Sequence, residues 1–171
     1  ILVHEQIHVL QRCFPRKFAG LYTKVYGLIE GLIVRDDWVE KNEIQNPDGM
    51  AGNRWVVSNE GKFYWLKTTL NEDDEPAKMP GSFQETVLPL LKEGGVFRAV
   101  RGEGAKTPNV IDPAVLSDWK KQFPIRVGHD HPNEIFAYLF QAELVRALAG
   151  GEPSDDAMTR QTMAWSRRGL K

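Results

Sequence analysis

Val3, Ile7 and Leu10 place apolar side chains at helical spacing along the first eleven residues, and Phe14-Pro15 closes that segment. His4 and His8 lie one turn apart beside this stripe, at the edge of a core. From Arg16 to Leu32 the positions Phe18, Leu21, Tyr22, Val25, Leu28 and Ile29 predict a second amphipathic helix, interrupted by Gly20, Gly27 and Gly31. Residues 35–52 are polar, and Asn46-Pro47-Asp48-Gly49 marks a turn within them. The β-rich runs 54–57 and 62–66 predict a hairpin around Ser58-Asn59-Glu60-Gly61. Its aromatic residues suit sheet packing, with the lining of a cleft as their rival use.

The second half alternates breakers and periodic stretches. Glu72 to Pro76 is an acidic loop whose residues read as a solvated face, without calcium-ligand spacing. Residues 83–91 are ambiguous between strand and helix because Pro89 interrupts them, while 96–100 predict a short strand. Asp112 and Pro113 supply the N-cap and first position of a helix through Gln122, which Phe123-Pro124 ends. Pro132 opens a longer helix, capped by Asp130 or His131, whose stripe of Ile135, Leu139, Ala142 and Val145 runs to about Ala149. After the break at 150–153, Ser154-Asp155 caps an arginine-rich last helix, so 154–171 is expected at the periphery. The fold expected is α+β and predominantly helical, with one small antiparallel β hairpin, in a single domain over residues 1–171.

Composition narrows the partners. With 171 residues, 42% apolar and 26% charged, the chain has the profile of one soluble globular domain with a core. A net charge of −1 and the absence of a basic stripe argue against nucleic-acid binding. Cys13 is the single cysteine, so disulfides and cysteine metal knuckles are excluded, and any metal must be held by nitrogen and oxygen. No run of eighteen apolar residues predicts a membrane span, and no leader is visible. The chain opens on Ile1-Leu2-Val3 without an initiating methionine. It reads as truncated at its N-terminus, which leaves the compartment open.

His4, Glu5 and His8 form H-E-x-x-H. On a helix this spacing lets both imidazoles approach one tetrahedral Zn²⁺, with the carboxylate of Glu5 free to take a proton from bound water. A catalytic zinc takes three protein ligands and keeps one position open. Glu134, at the start of the long helix, is the candidate third ligand, with His129 and His131 as rivals. A donor for the developing oxyanion is also needed. His131, His129, Tyr138, Tyr22 and Arg12 are candidates, with His131 favoured because it precedes the helix of Glu134.

These residues resemble the zincin superfamily, and within it the gluzincin arrangement of H-E-x-x-H followed by a glutamate from a later helix. The run His4 to Arg12, the Asn46-Pro47-Asp48 turn and the segment His131 to Ala137 (H-P-x-E-I-x-A) together resemble a family of uncharacterised zinc-dependent peptidases. The resemblance implies a zinc metallopeptidase with His4, His8 and Glu134 as ligands, Glu5 as general base, and a peptide or protein as substrate. The chain departs from that pattern at Tyr138, where an acidic residue four positions after the third ligand is expected to orient the first histidine. The alternative is a degenerate zincin-like domain that binds zinc, or serves as a scaffold, without turnover.

Overall fold

The computed structural model describes residues 2–44, 54–70 and 83–170. The Asn46-Pro47-Asp48 turn and the acidic loop 72–76 lie outside them. The chain divides into two compact units, one made of Ile1–Leu28 with Asp118–Lys171 and the other of Ile29–Ser117.

The first unit is helical. Its elements are α1 (Leu2–Cys13), α2 (Pro15–Lys24), α5 (Pro132–Leu148) and α6 (Ala157–Gly169). Pro15, with no N–H to lose from a first turn, opens α2 immediately after α1. The core is aromatic: the Phe18 ring lies 5.1 Å from Phe136 and 5.2 Å from Trp165, and Tyr26 lies 5.2 Å from Phe123. Ile135, Phe136, Ala137 and Leu139 are buried in the first half of α5, and Met158, Thr159 and Thr162 bury one side of the C-terminal helix. On α1 the buried residues are Ile7, His8 and Gln11, while Leu10 is 41% exposed. The inward face of this helix is therefore partly polar.

The second unit overturns the predominantly helical fold with a single hairpin. It is built on an antiparallel sheet of five strands in sequential order: β1 (Ile29–Glu30), β2 (Trp55–Asn59), β3 (Lys62–Leu70), β4 (Phe83–Glu93) and β5 (Val96–Ala99). The whole chain is thus a mixed α+β fold. The expected β2–β3 hairpin forms around Glu60 (φ 50) and Gly61 (φ 75), the two-residue turn whose twist matches that of the strands. The ambiguous segment 83–91 is the long strand β4. Pro89 is accommodated because its carbonyl accepts from Val100 N–H at 2.9 Å, so its carbonyl and its hydrogen-less nitrogen both face the β5 side, one residue beyond the last β4–β5 pair. The ladder to β3 loses no donor.

The predicted helix from Arg16 stops at Lys24, and the residues beyond Leu28 become sheet. Ile29 and Glu30 pair with β2, while the segment just after them exchanges hydrogen bonds with β5: Phe97 N–H donates to Leu32 and Val34 N–H donates to Phe97, both at 2.8 Å. One continuous segment thereby joins both edges of the sheet and closes it, which removes open strand edges. A side chain at Gly31 would put its Cβ 2.5 Å from the Phe97 ring, so the closure needs glycine there. Inside lie Ile33, Val39, Val56, Trp65, Leu88, Leu90 and Phe97.

A short helix, α3 (Asp37–Asn42), begins at Asp36, whose side chain accepts from Val39 N–H at 2.9 Å and also pairs with Arg101. The Glu43 side chain, 6% exposed, lies between two cations, with Lys67 Nζ at 2.7 Å and an Arg35 guanidinium nitrogen at 2.8 Å. The helix expected from Asp112 is a 3₁₀ turn (Pro113–Leu116) running into the four-residue α4 (Ser117–Lys120). No helix among the described residues is long and apolar enough to cross a membrane.

Candidate metal centre

Both histidines of the H-E-x-x-H motif lie on the same side of α1, one turn apart, and their rings meet edge-on with centroids 4.7 Å apart. Glu134 is delivered by the first turn of α5. That turn is fixed by Pro132 and by His131, whose side chain caps the helix by accepting from Asn133 N–H at 3.1 Å. One carboxylate oxygen then serves each imidazole. Glu134 Oε2 stands 3.1 Å from His4 Nε2, and Oε1 stands 3.4 Å from His8 Nε2. The three ligand atoms fall within 4.8 Å of one another, and they form the one convergent His, Cys, Asp or Glu set among the described residues.

His4, His8 and Glu134 could hold a metal ion, and nitrogen and oxygen donors are ones that zinc takes. Two atoms each about 2.0–2.1 Å from a tetrahedral zinc stand about 3.3 Å apart. The two imidazole–carboxylate separations, 3.1 and 3.4 Å, bracket that edge. His8 is 1% exposed, and its Nε2 is buried without a hydrogen bond even though a carboxylate oxygen lies close by. A buried nitrogen left in that state is costly unless a further group satisfies it.

Glu5 is exposed on the same helix. Tyr138 lies one turn after Glu134, its ring tilted against that of His4 at 4.7 Å. Burial, followed by the negative charges of Glu134 and Glu5, raises the Tyr138 phenol above its ordinary pKa, so it remains a hydrogen-bond donor at neutral pH. His129 and His131 are buried but do not join the convergent set. His131 Nδ1 serves the helix cap, and His129 faces the ring of Phe123 at 6.4 Å.

Three residues that the sequence did not single out, Gln11, Asn133 and Gly128, support the site together with Tyr22, which serves in a role other than the expected oxyanion donor. Gln11, three residues beyond His8, places Oε1 2.7 Å from His8 Nδ1 and donates from Nε2 to the Asn133 carbonyl at 3.0 Å and to the Tyr22 hydroxyl at 3.2 Å. Tyr22 in turn donates to Asn133 Oδ1 at 2.6 Å. Its phenol pKa is raised well above the ordinary value by burial and by Tyr26, against a lowering from Gln11 and with a further rise from Glu134. Gly128 has φ +83, and a Cβ there would come 2.8 Å from Glu134 Cβ and 3.0 Å from the Tyr138 ring. The spacing His8 to Gln11, one face of a helix, was the available signal for the first of these.

Set against protein-family models, curated proteins and solved structures, the chain matches none of them. What the site can do must follow from its own atoms.

Proposed function

We propose that the chain is a zincin-like, zinc-dependent metallopeptidase, with His4, His8 and Glu134 as ligands and a peptide or protein as substrate. The observation that carries this reading is the pair of imidazole Nε2 atoms set against the two oxygens of one buried glutamate, 3.1 and 3.4 Å away. Bound zinc would supply the Lewis acidity that brings a water to a pKa of about 7 and polarises a carbonyl. Glu5, exposed on the ligand helix, takes the proton of the attacking water and returns it to the departing amine. Tyr138, protonated and packed on His4, donates a hydrogen bond to the carbonyl oxygen as charge develops there. His131, its Nδ1 engaged at the helix cap, positions the turn that carries Glu134.

A zinc-holding domain without turnover is the second reading, favoured by Tyr138 standing where a carboxylate would orient His4. Elemental analysis of protein purified without added metal tests both. About one zinc per chain is expected in the wild type, the ratio set by three ligands and one open position, and it should fall in His8→Ala and in Glu134→Ala. Glu5→Gln should keep its zinc and lose about 10²- to 10⁴-fold in hydrolysis of a peptide pool. A folded wild type without zinc overturns the metal reading. Zinc without any hydrolysis in the wild type selects the second.

A further inference from the structure

We propose that Gln11 is a positioning residue for this centre, holding His8 in the tautomer that presents the Nε2 lone pair beside Glu134. The inference rests on the metal reading above. It follows from which atoms can donate. The Asn133 main-chain oxygen can only accept, so the atom of Gln11 lying 3.0 Å from it must be the amide nitrogen. A second constraint agrees: the hydrogen of the Tyr22 hydroxyl is committed to Asn133 Oδ1 at 2.6 Å, so that hydroxyl receives the other Gln11 N–H at 3.2 Å. Burial keeps Tyr22 protonated and therefore able to donate.

With both amide hydrogens used, Oε1 of Gln11 is left facing His8 Nδ1 at 2.7 Å. An amide oxygen can only accept, so Nδ1 carries the hydrogen. A neutral imidazole has one N–H, which leaves Nε2 as a lone pair 3.4 Å from Glu134 Oε1 and without a hydrogen bond. Two acceptors facing each other in a buried site are costly, and a cation between them relieves that cost. Gln11 therefore prepares the electron pair that a metal uses. Its bond to Asn133, the neighbour of Glu134, also anchors the turn bearing the third ligand to the helix bearing the first two.

The test uses the full chain, ¹⁵N-labelled and metal-free, with the imidazole tautomers read from long-range ¹H–¹⁵N spectra and His8 assigned by its absence from His8→Ala. The wild type should show His8 protonated at Nδ1 alone. Gln11→Leu should show mixed tautomers and bind zinc, measured against a competing chelator, about 10- to 100-fold more weakly. Gln11→Glu, whose carboxylate can still accept from Nδ1–H, should restore the tautomer, which a residue needed only for packing would not require. His8 protonated at Nε2 in the wild type, or a folded Gln11→Leu with tautomer and zinc affinity unchanged, would overturn the proposal. If Gln11→Leu fails to fold, the wild-type tautomer and the Gln11→Glu spectrum decide it. Nδ1–H in a wild type that binds no zinc would instead refute the metal reading and leave the tautomer lock standing.

Discussion

Alanine at Gly128 should disturb the candidate centre without replacing any of its three side chains. At φ +83 an L-residue pays about 1–2 kcal/mol of backbone strain. The new Cβ would also lie 2.8 Å from Glu134 Cβ and 3.0 Å from the Tyr138 ring. Carbon atoms prefer about 3.5–4.0 Å, so Glu134 must retreat by several tenths of an ångström, and overpacking of this kind costs about 1–3 kcal/mol more. Gly150 supplies the control: its φ is +72 but nothing lies within 4 Å of its Cβ position, so Gly150→Ala carries the strain alone. Urea unfolding followed by circular dichroism should therefore show a loss of about 2–5 kcal/mol for Gly128→Ala and about 1–2 kcal/mol for Gly150→Ala. Zinc titration should show about tenfold weaker binding in the first variant and wild-type binding in the second, since a site loosened by about 0.5 Å no longer holds its geometry. Equal stability losses in the two variants, with zinc affinity unchanged in both, would refute the claim that Gly128 seats Glu134.

Burial raises the Tyr26 phenol far above its ordinary pKa, whereas in the unfolded chain it titrates near 10. The unfolded state thus loses a proton first, and stability should be full below pH 10 and fall by up to about 1.4 kcal/mol per pH unit above it. Thermal melts between pH 9 and 11 should show this slope reduced in Tyr26→Phe; an identical slope would count against the assignment. In the sheet unit, Lys67→Met leaves the buried side chain of Glu43 paired with Arg35 at 2.8 Å. A loss of about 3 kcal/mol is expected in urea unfolding, and an unchanged midpoint would show that Lys67 contributes nothing there.

The convergence of His4, His8 and Glu134 was more legible than the fold around it. The H-E-x-x-H spacing and the Pro132 turn are local signals, and both position side chains through helix geometry that sequence encodes directly. The sheet was harder because its longest strand does not alternate. Thr86, Val87 and Leu88 are buried in succession, so β4 lacks the period of two that marks a half-exposed strand, and Pro89 masked it further. Leu28 and Ile29 fitted a helical stripe by spacing, yet Ile29 pairs with Val56 across the sheet, a partner that no local pattern names. On α1 the apolar stripe pointed to Leu10 as core, whereas the helix turns Gln11 inward. The inward Gln11 joins a polar network with Tyr22 and Asn133, and Asn133 lies on a helix more than a hundred residues away.

His4 and Glu134 are separated by 130 positions in the chain. Ribosomes add about 5–20 residues per second, so α1 would exist for roughly 7–26 s before its glutamate was even made. During that interval the two histidines would have no carboxylate to oppose them, and the whole of Ile29–Ser117 would be synthesised in between. Metal uptake at the proposed centre would therefore be a late event in the life of a nascent chain. Any ion captured earlier would have to be held by two imidazoles alone.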